Sequence, residues 1–193
     1  VYRLLDHMLE GRDDVAAIGV SSIGRVDVRR GMITTPLYFN GIKNIHIVDL
    51  VKARYGLPVY FDHDNQSAAL VEQLFGNGRG YQDILLIGIG HGVGCGIVTE
   101  GHRYHSHFGL APEVGHMSID VHGNRCPCGN VGCWEQYASA TALKRLTWEA
   151  VQEAPDSILA QVVAENGGKV SGQSAFIAAR RGDSTAQTVC GTY

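Results

Sequence analysis

The stretch that decides how this chain is read is Glu113-Val114-Gly115-His116, followed after a short spacer by Cys126-Pro127-Cys128-Gly129-Asn130-Val131-Gly132-Cys133-Trp134-Glu135. Three thiolates and one imidazole make a closed Cys3His set, the ligand complement of a structural zinc site. His116, Cys126, Cys128 and Cys133 are therefore the candidate ligands of a Zn2+ ion. Glu113 and Glu135 flank the cluster and are read as non-ligands that the metal holds in place. The competing reading makes the cysteines buried hydrophobes or disulfide partners. Three of the 5 cysteines fall in this one short run, which scattered core positions do not produce. Cys126 and Cys128 are also too close in sequence for an unstrained bridge to each other.

Working outward, Ile84–Ile89 is an apolar run that predicts a buried strand. It leads into Gly90-His91-Gly92-Val93-Gly94-Cys95-Gly96. That glycine-rich turn predicts either a loop that approaches a phosphate, with Gly90, His91, Gly92 and Gly94 as its candidates, or a plain β-hairpin. It carries no Lys of the Walker type, so the signal is weak by itself. Further upstream, Pro58–Phe61 predicts a short strand, Asp62–Asn65 an acidic turn, and Ser67–Leu74 a helix. Strand, turn and helix in that order place functional side chains at the carboxyl ends of strands. Val15–Ser21 predicts another buried strand, Arg25–Thr35 a weaker one, Tyr2–Glu10 a helix, and Val48–Tyr55 a helix that stops at Gly56. Downstream, helices are expected near Glu135–Trp148, Ile158–Glu165 and Gly172–Arg181. The alternation predicts a mixed α/β fold.

The chain has 193 residues, 45% hydrophobic and 18% charged, so it can bury a real core. A formal net charge of −3 argues against this segment gripping a nucleic-acid backbone. No apolar run approaches a membrane span, and no secretory signal is expected. The odd cysteine count with a metal-like cluster suits a reducing, cytoplasmic setting. The chain has no initiator Met and opens inside a helical pattern, so it reads as a piece of a longer protein.

Asp64 follows a predicted strand and precedes a helix. A carboxylate there can act as a general base toward a bound hydroxyl. It can equally be a helix N-cap, a role open to Asp62, Asp64 or Asn65. Glu113 and Glu135 could hydrogen-bond sugar hydroxyls from anchored positions, or they could be surface carboxylates. His102, His105 and His107 form a loose group that reads as solvated loop histidines, since no zinc-like spacing is met.

These motifs together resemble the ROK family of repressors, open reading frames and kinases. The resemblance rests on the Glu113–Glu135 signature, on Ser139 after it, and on the Asp62–Leu74 and Gly90–Gly101 segments in order. It implies an actin-like, ribonuclease-H-like ATPase fold with two lobes and a sugar cleft. It implies that His116, Cys126, Cys128 and Cys133 hold zinc, that Glu113, His116 and Glu135 line the sugar, and that Asp64 stands where the kinases keep their base. The kinases carry Asn before that Asp, and this chain has His63. They carry Thr-Gly in the second phosphate loop, and this chain has His91-Gly92. Both departures resemble the sugar-responsive repressors.

The expectation is therefore the central part, residues 1–193, of a ROK sugar-binding domain. The N-terminal helix-turn-helix and the C-terminal lobe elements would lie outside it. Its effector would be a monosaccharide or sugar phosphate bound by Asp64, His63, Glu113, His116 and Glu135, and binding would shift lobe closure. DNA would be contacted through another segment, and the assembly would be a homodimer or homotetramer. The alternatives are an ATP–Mg2+-dependent hexose kinase that uses Asp64 as base, and a zinc-stabilised interaction module of another class. Selectivity for one sugar would depend on loops at Pro36–Asn44 and Tyr104–Pro112.

Overall fold

The parallel pairing of two short strands organises the first half of the chain. In the computed structural model, which describes residues 1–35, 43–106 and 110–193, β1 (Ile18–Ser22) lies beside β4 (Val59–His63). The register runs from Ile18 opposite Val59 to Ser22 opposite His63. Before β1 comes helix α1 (Tyr2–Leu9). Between the two strands run β2 (Arg25–Asp27), β3 (Met32–Thr35) and helix α2 (Ile47–Tyr55). β2 and β3 form an antiparallel hairpin with a register shift at Arg25/Val26. α2 stops at Gly56, whose φ of 68° is left-handed, as the sequence predicts.

The chain divides into two units, Val1–Ile87 with Cys95–Pro112, and Gly88–Gly94 with Glu113–Tyr193. The core of the first unit is Ile18, Val26, Ile47, Val51 and Phe61, with Leu5 and Leu9 of α1 packed against it. α1 is tied to α2 by an Arg54–Asp6 ion pair at 2.8 Å and by the Tyr55 hydroxyl donating to Asp6 at 2.7 Å.

β4 runs on through Asp62 and His63, where the sequence suggested a turn, and helix α3 (Asp64–Phe75) begins at once. α3 is held by Gln66, which is fully buried. Its amide donates to the Ile97 and Tyr104 carbonyls at 2.6 and 2.8 Å and accepts from the Ile97 N–H at 2.8 Å. Ile97 belongs to a three-stranded sheet in the order β5 (Ile84–Ile89), β6 (Val93–Thr99), β7 (His102–Arg103). The glycine-rich stretch is thus mostly strand: Gly94, Cys95 and Gly96 lie within β6, and the turn is confined to residues 90–92. Gly96 meets a packing need, because a side chain there would collide with the α3 backbone at Asn65 and with Ala69.

The second unit is helical: α4 (Glu135–Ala138), α5 (Ala140–Glu153), α6 (Ile158–Glu165), α7 (Ser174–Arg180) and α8 (Ser184–Thr192). Its core joins Leu143, Ala150, Leu159, Val162, Ala175, Ala178, Ala186 and Val189. The single helix expected over Glu135–Trp148 breaks at Ser139, which is extended and whose hydroxyl accepts the Ala142 N–H. Ser157 caps α6 and Asp183 caps α8 in the same way. α8 was not expected from the sequence. No helix among the described residues is long and apolar enough to cross a membrane. The Pro36–Asn44 loop for the most part, and Phe108, Gly109 and His107 of the Tyr104–Pro112 loop, lie outside the described residues.

Candidate metal centre and its carboxylates

The metal segment is built from turns rather than long elements. Val114–His116 form one 3-10 turn, closed by the His116 N–H donating to the Glu113 carbonyl at 3.0 Å. Downstream, the Cys126 N–H donates to the Asn130 carbonyl and the Gly129 N–H to the Cys126 carbonyl, both at 2.9 Å. Antiparallel bridges pair Ser118 with Cys133 and Arg125 with Val131. These turns bring one ligand atom each from His116, Cys126, Cys128 and Cys133 within 4.8 Å of one another.

Cys126 Sγ lies 3.6 Å from His116 Nδ1, and Cys128 Sγ lies 3.7 Å from Cys133 Sγ. A tetrahedral ion with metal–sulfur bonds of about 2.3 Å requires edges of about 3.8 Å, so the donor set and its spacing fit such an ion. No disulfide joins these thiols. Cys126 and Cys133 are buried, His116 is half-buried, and Cys128 is exposed. Burial pushes the Cys126 thiol up. Burial first, and then hydrogen bonding with Cys128 and Cys126, pushes Cys133 up to about 12. Burial also works to raise Cys128, but hydrogen bonds from the Asn130 amide and the two neighbouring thiols carry it below its ordinary value. Gln136 supports the cluster by donating to Cys126 Sγ at 3.6 Å.

Glu113 caps the 3-10 turn by position, and Glu135 opens α4. Both therefore sit on backbone that flanks the cluster. Glu135 has a partner the sequence did not reveal: its Oε2 accepts the Val93 N–H at 3.0 Å. A side chain on Gly92 would collide with that carboxylate. The same turn is gripped twice more. The Ala140 N–H donates to the Gly90 carbonyl at 2.8 Å, and the Thr141 hydroxyl to the His91 carbonyl at 2.7 Å. The His91 side chain stays exposed. Glu135 Oε1 is left as the oxygen free of this bracing.

In the first unit, Asp64 is the first residue of α3, and its Oδ1 accepts from the Asn65 N–H and amide at 2.7 and 2.8 Å. The capping position belongs to His63, whose side chain makes no cap bond, so none of Asp62, Asp64 and Asn65 is the N-cap. The His63 ring is buried. Its Nδ1 lies 3.2 Å from Asp64 Oδ1 without the alignment of a hydrogen bond, and it has no other partner among the described residues. Asp62 is buried too; it accepts the His63 N–H at 2.8 Å and is ion-paired with Arg103. That pair was not foreseen. Of the histidine group, His102 stands in β7 and His105 follows it half-buried, while His107 lies outside the described residues.

A family model described as "ROK family" matches residues 1–193. The DNA-binding transcriptional repressor Mlc of Escherichia coli is 30% identical over 91% of this chain and 42% of its own length. A glucokinase of Thermotoga maritima is 32% identical over 95% of this chain and 58% of its own length. The crystal structure of a ROK family glucokinase from Streptomyces griseus, in complex with glucose and AMPPNP, superposes with a TM-score of 0.81 at 32% identity. That match covers 98% of this chain and 63% of the other. The chain spans about half the length of the curated relatives it matches.

Proposed function

The chain belongs to the ROK family, and on that premise we propose that it is the effector-binding, sugar-sensing region of a transcriptional regulator of carbohydrate metabolism. Membership sets aside the reading of an interaction module of another class. The observation that carries the regulator reading is the pair of histidines at the two positions where the resemblance to sugar kinases calls for other residues. His63 stands for the sugar-contacting Asn and is buried beside Asp64. His91 stands for the Thr of the phosphate loop, so the hydroxyl that would face a phosphate is missing. The repressor of Escherichia coli supports the reading, and the glucose-bound kinase supports sugar as the ligand class.

On this reading His116, Cys126, Cys128 and Cys133 hold a zinc ion. The ion supplies no reaction; it is a structural clamp. Glu113 and Glu135 are held by it as acceptors for sugar hydroxyls, with His116 as a neighbour. Asp64 and His63 are the polar groups offered to sugar by the first unit. A carboxylate whose backbone is already fixed loses little entropy when it accepts a hydroxyl. The effector is a monosaccharide or its phosphate. Control of DNA runs through a part of the protein outside this chain, in a dimer or tetramer, and requires that the effector bind two states unequally. The setting is the cytoplasm.

A second reading, an ATP–Mg2+-dependent hexose kinase, is favoured by Asp64, which sits where a base would remove the proton of an attacking hydroxyl. Titration calorimetry with hexoses and with ATP–Mg2+, run beside a coupled kinase assay on the whole protein, separates the two. Sugar binding without ATP binding or turnover is expected. Turnover that Asp64→Ala abolishes while sugar still binds would replace the regulator with the kinase.

A further inference from the structure

The residues from Asp62 to Gln66 carry the chain from β4 into α3. Two of them, His63 and Asp64, are the groups that the first unit would offer to sugar. Their neighbours on either side are held by another part of the same unit, the β6–β7 hairpin. Asp62 is buried; its Oδ2 is ion-paired with Arg103 of β7, and its Oδ1 accepts the His63 N–H at 2.8 Å. Gln66 bonds to Ile97 of β6 and donates to the Tyr104 carbonyl at 2.8 Å. Arg103 and Tyr104 are adjacent in the chain, so one short stretch grips both ends of the junction, with His63, Asp64 and Asn65 between the grips. That stretch is itself locked to β6. Arg103 stands opposite Val98, and the Tyr104 N–H donates to the Ile97 carbonyl at 2.9 Å.

The two grips differ in kind. Gln66 binds backbone, and its neutral bonds seat α3. Arg103 acts on charge. A buried carboxylate that loses its cation is costly to keep in place, and Asp62 can move only by releasing the His63 N–H. Asp64 follows directly. Its Oδ1 is taken by the Asn65 N–H and amide at 2.7 and 2.8 Å, and its Oδ2 has no partner among the described residues. The direction in which Oδ2 faces is therefore set by the backbone at His63 and Asp64. The Arg103 side chain is 40% exposed against 7% for Asp62, so the cation can be replaced without opening the core.

We propose that Arg103 is a positioning residue for the sugar site: through Asp62 it fixes the backbone at His63 and so aims the Asp64 carboxylate. A group aimed before the ligand arrives loses less freedom on binding. The inference rests on the sugar-sensing reading above and adds to it a residue that acts without touching the ligand.

The test compares the whole protein as wild type, Arg103→Gln, Arg103→Lys and the double variant Asp62→Asn with Arg103→Gln. Each is titrated calorimetrically with glucose, N-acetylglucosamine and xylose. Each is also labelled on asparagine nitrogen, so that NMR reads the two Asn65 groups that donate to Asp64. Arg103→Gln is expected to weaken the tightest-binding sugar about tenfold and to move both Asn65 resonances. Arg103→Lys is expected to recover part of each change, since it restores the charge but not the planar fork. The double variant leaves no unpaired charge in the core. It is read in place of Arg103→Gln should that protein fail to fold, with the same expectation. Affinity equal to wild type would overturn the inference and leave the sugar reading standing. So would weaker binding with the Asn65 resonances unmoved, because a role in stability alone lowers the unfolding midpoint and leaves them in place. A wild-type protein that binds none of the sugars would overturn the inference together with the sugar reading.

Discussion

Within the second unit, the α5–α8 cluster buries Leu143, Leu159, Val162, Ala178, Ala186 and Val189 against one another. The segment from Glu113 to Glu135 buries Gly115, Cys126, Gly132 and Cys133 and leaves Met117, Ile119 and Val121 exposed. The first region has the apolar area that holds a fold together at about 25 cal/mol per Å2. The second has almost none, and two of its four buried residues are thiols that a metal would take. A chain segment with so little apolar burial keeps one conformation only if another force closes it, and a tetrahedral ion bound by four side chains supplies such a force. The difference matters for the proposed function, because the segment from Glu113 to Glu135 carries the two carboxylates proposed to meet the sugar.

The largest expected effect is loss of the metal. Apparent binding energies of structural zinc are about 10–16 kcal/mol, comparable with the whole stability of a domain. Chelation, or Cys133→Ser, should release the Glu113–Glu135 segment and bring metal content, read by elemental analysis, to background. Wild-type thermal stability in a metal-free chain would break the comparison. Next comes Leu159→Ala in the helical cluster, where Leu159 is 0% exposed. A cavity there should cost about 2–5 kcal/mol in denaturant unfolding, with metal stoichiometry unchanged. Loss of metal from this variant would show that the two regions share one core.

Asp183→Ala should cost less, about 1–3 kcal/mol. It removes the acceptor for the Ala186 N–H at 2.6 Å and the Leu159 N–H at 3.1 Å, and Asp183→Asn should recover part of the loss. The smallest effect expected is that of Ser139→Ala, about 1 kcal/mol for a lost helix cap. Ser139 sits at the joint between the Glu135 helix and the helical cluster. A loss much larger than that, seen by thermal unfolding, would mean that the joint couples the two regions.

The grouping of His116, Cys126, Cys128 and Cys133 was legible in the sequence because the four residues lie close along the chain. α6 was also legible from its bounded apolar pattern, and α2 from Gly56 at its end. What the sequence did not show depends on contacts between distant residues. Gly96 looked like loop chemistry, but it is a strand glycine that makes room for α3 at Asn65 and Ala69. The bond from Val93 to Glu135 joins residues far apart in the chain, and no local pattern announces it. The Asp62–Arg103 pair is of the same kind. α8 was missed because Ser184–Thr192 mixes Ser, Thr, Gln and Gly with few apolar residues. Its signal was Asp183, a capping residue directly ahead of it.

The most direct test of the claim that a metal ion holds the segment bearing Glu113 and Glu135 is amide hydrogen exchange on the chain, zinc-loaded and after chelation, read peptide by peptide. The account predicts that protection is lost across residues 113–135 and at the Val93 amide that Glu135 accepts, while α6 keeps its protection. Unchanged exchange across 113–135 after the metal is removed would contradict it.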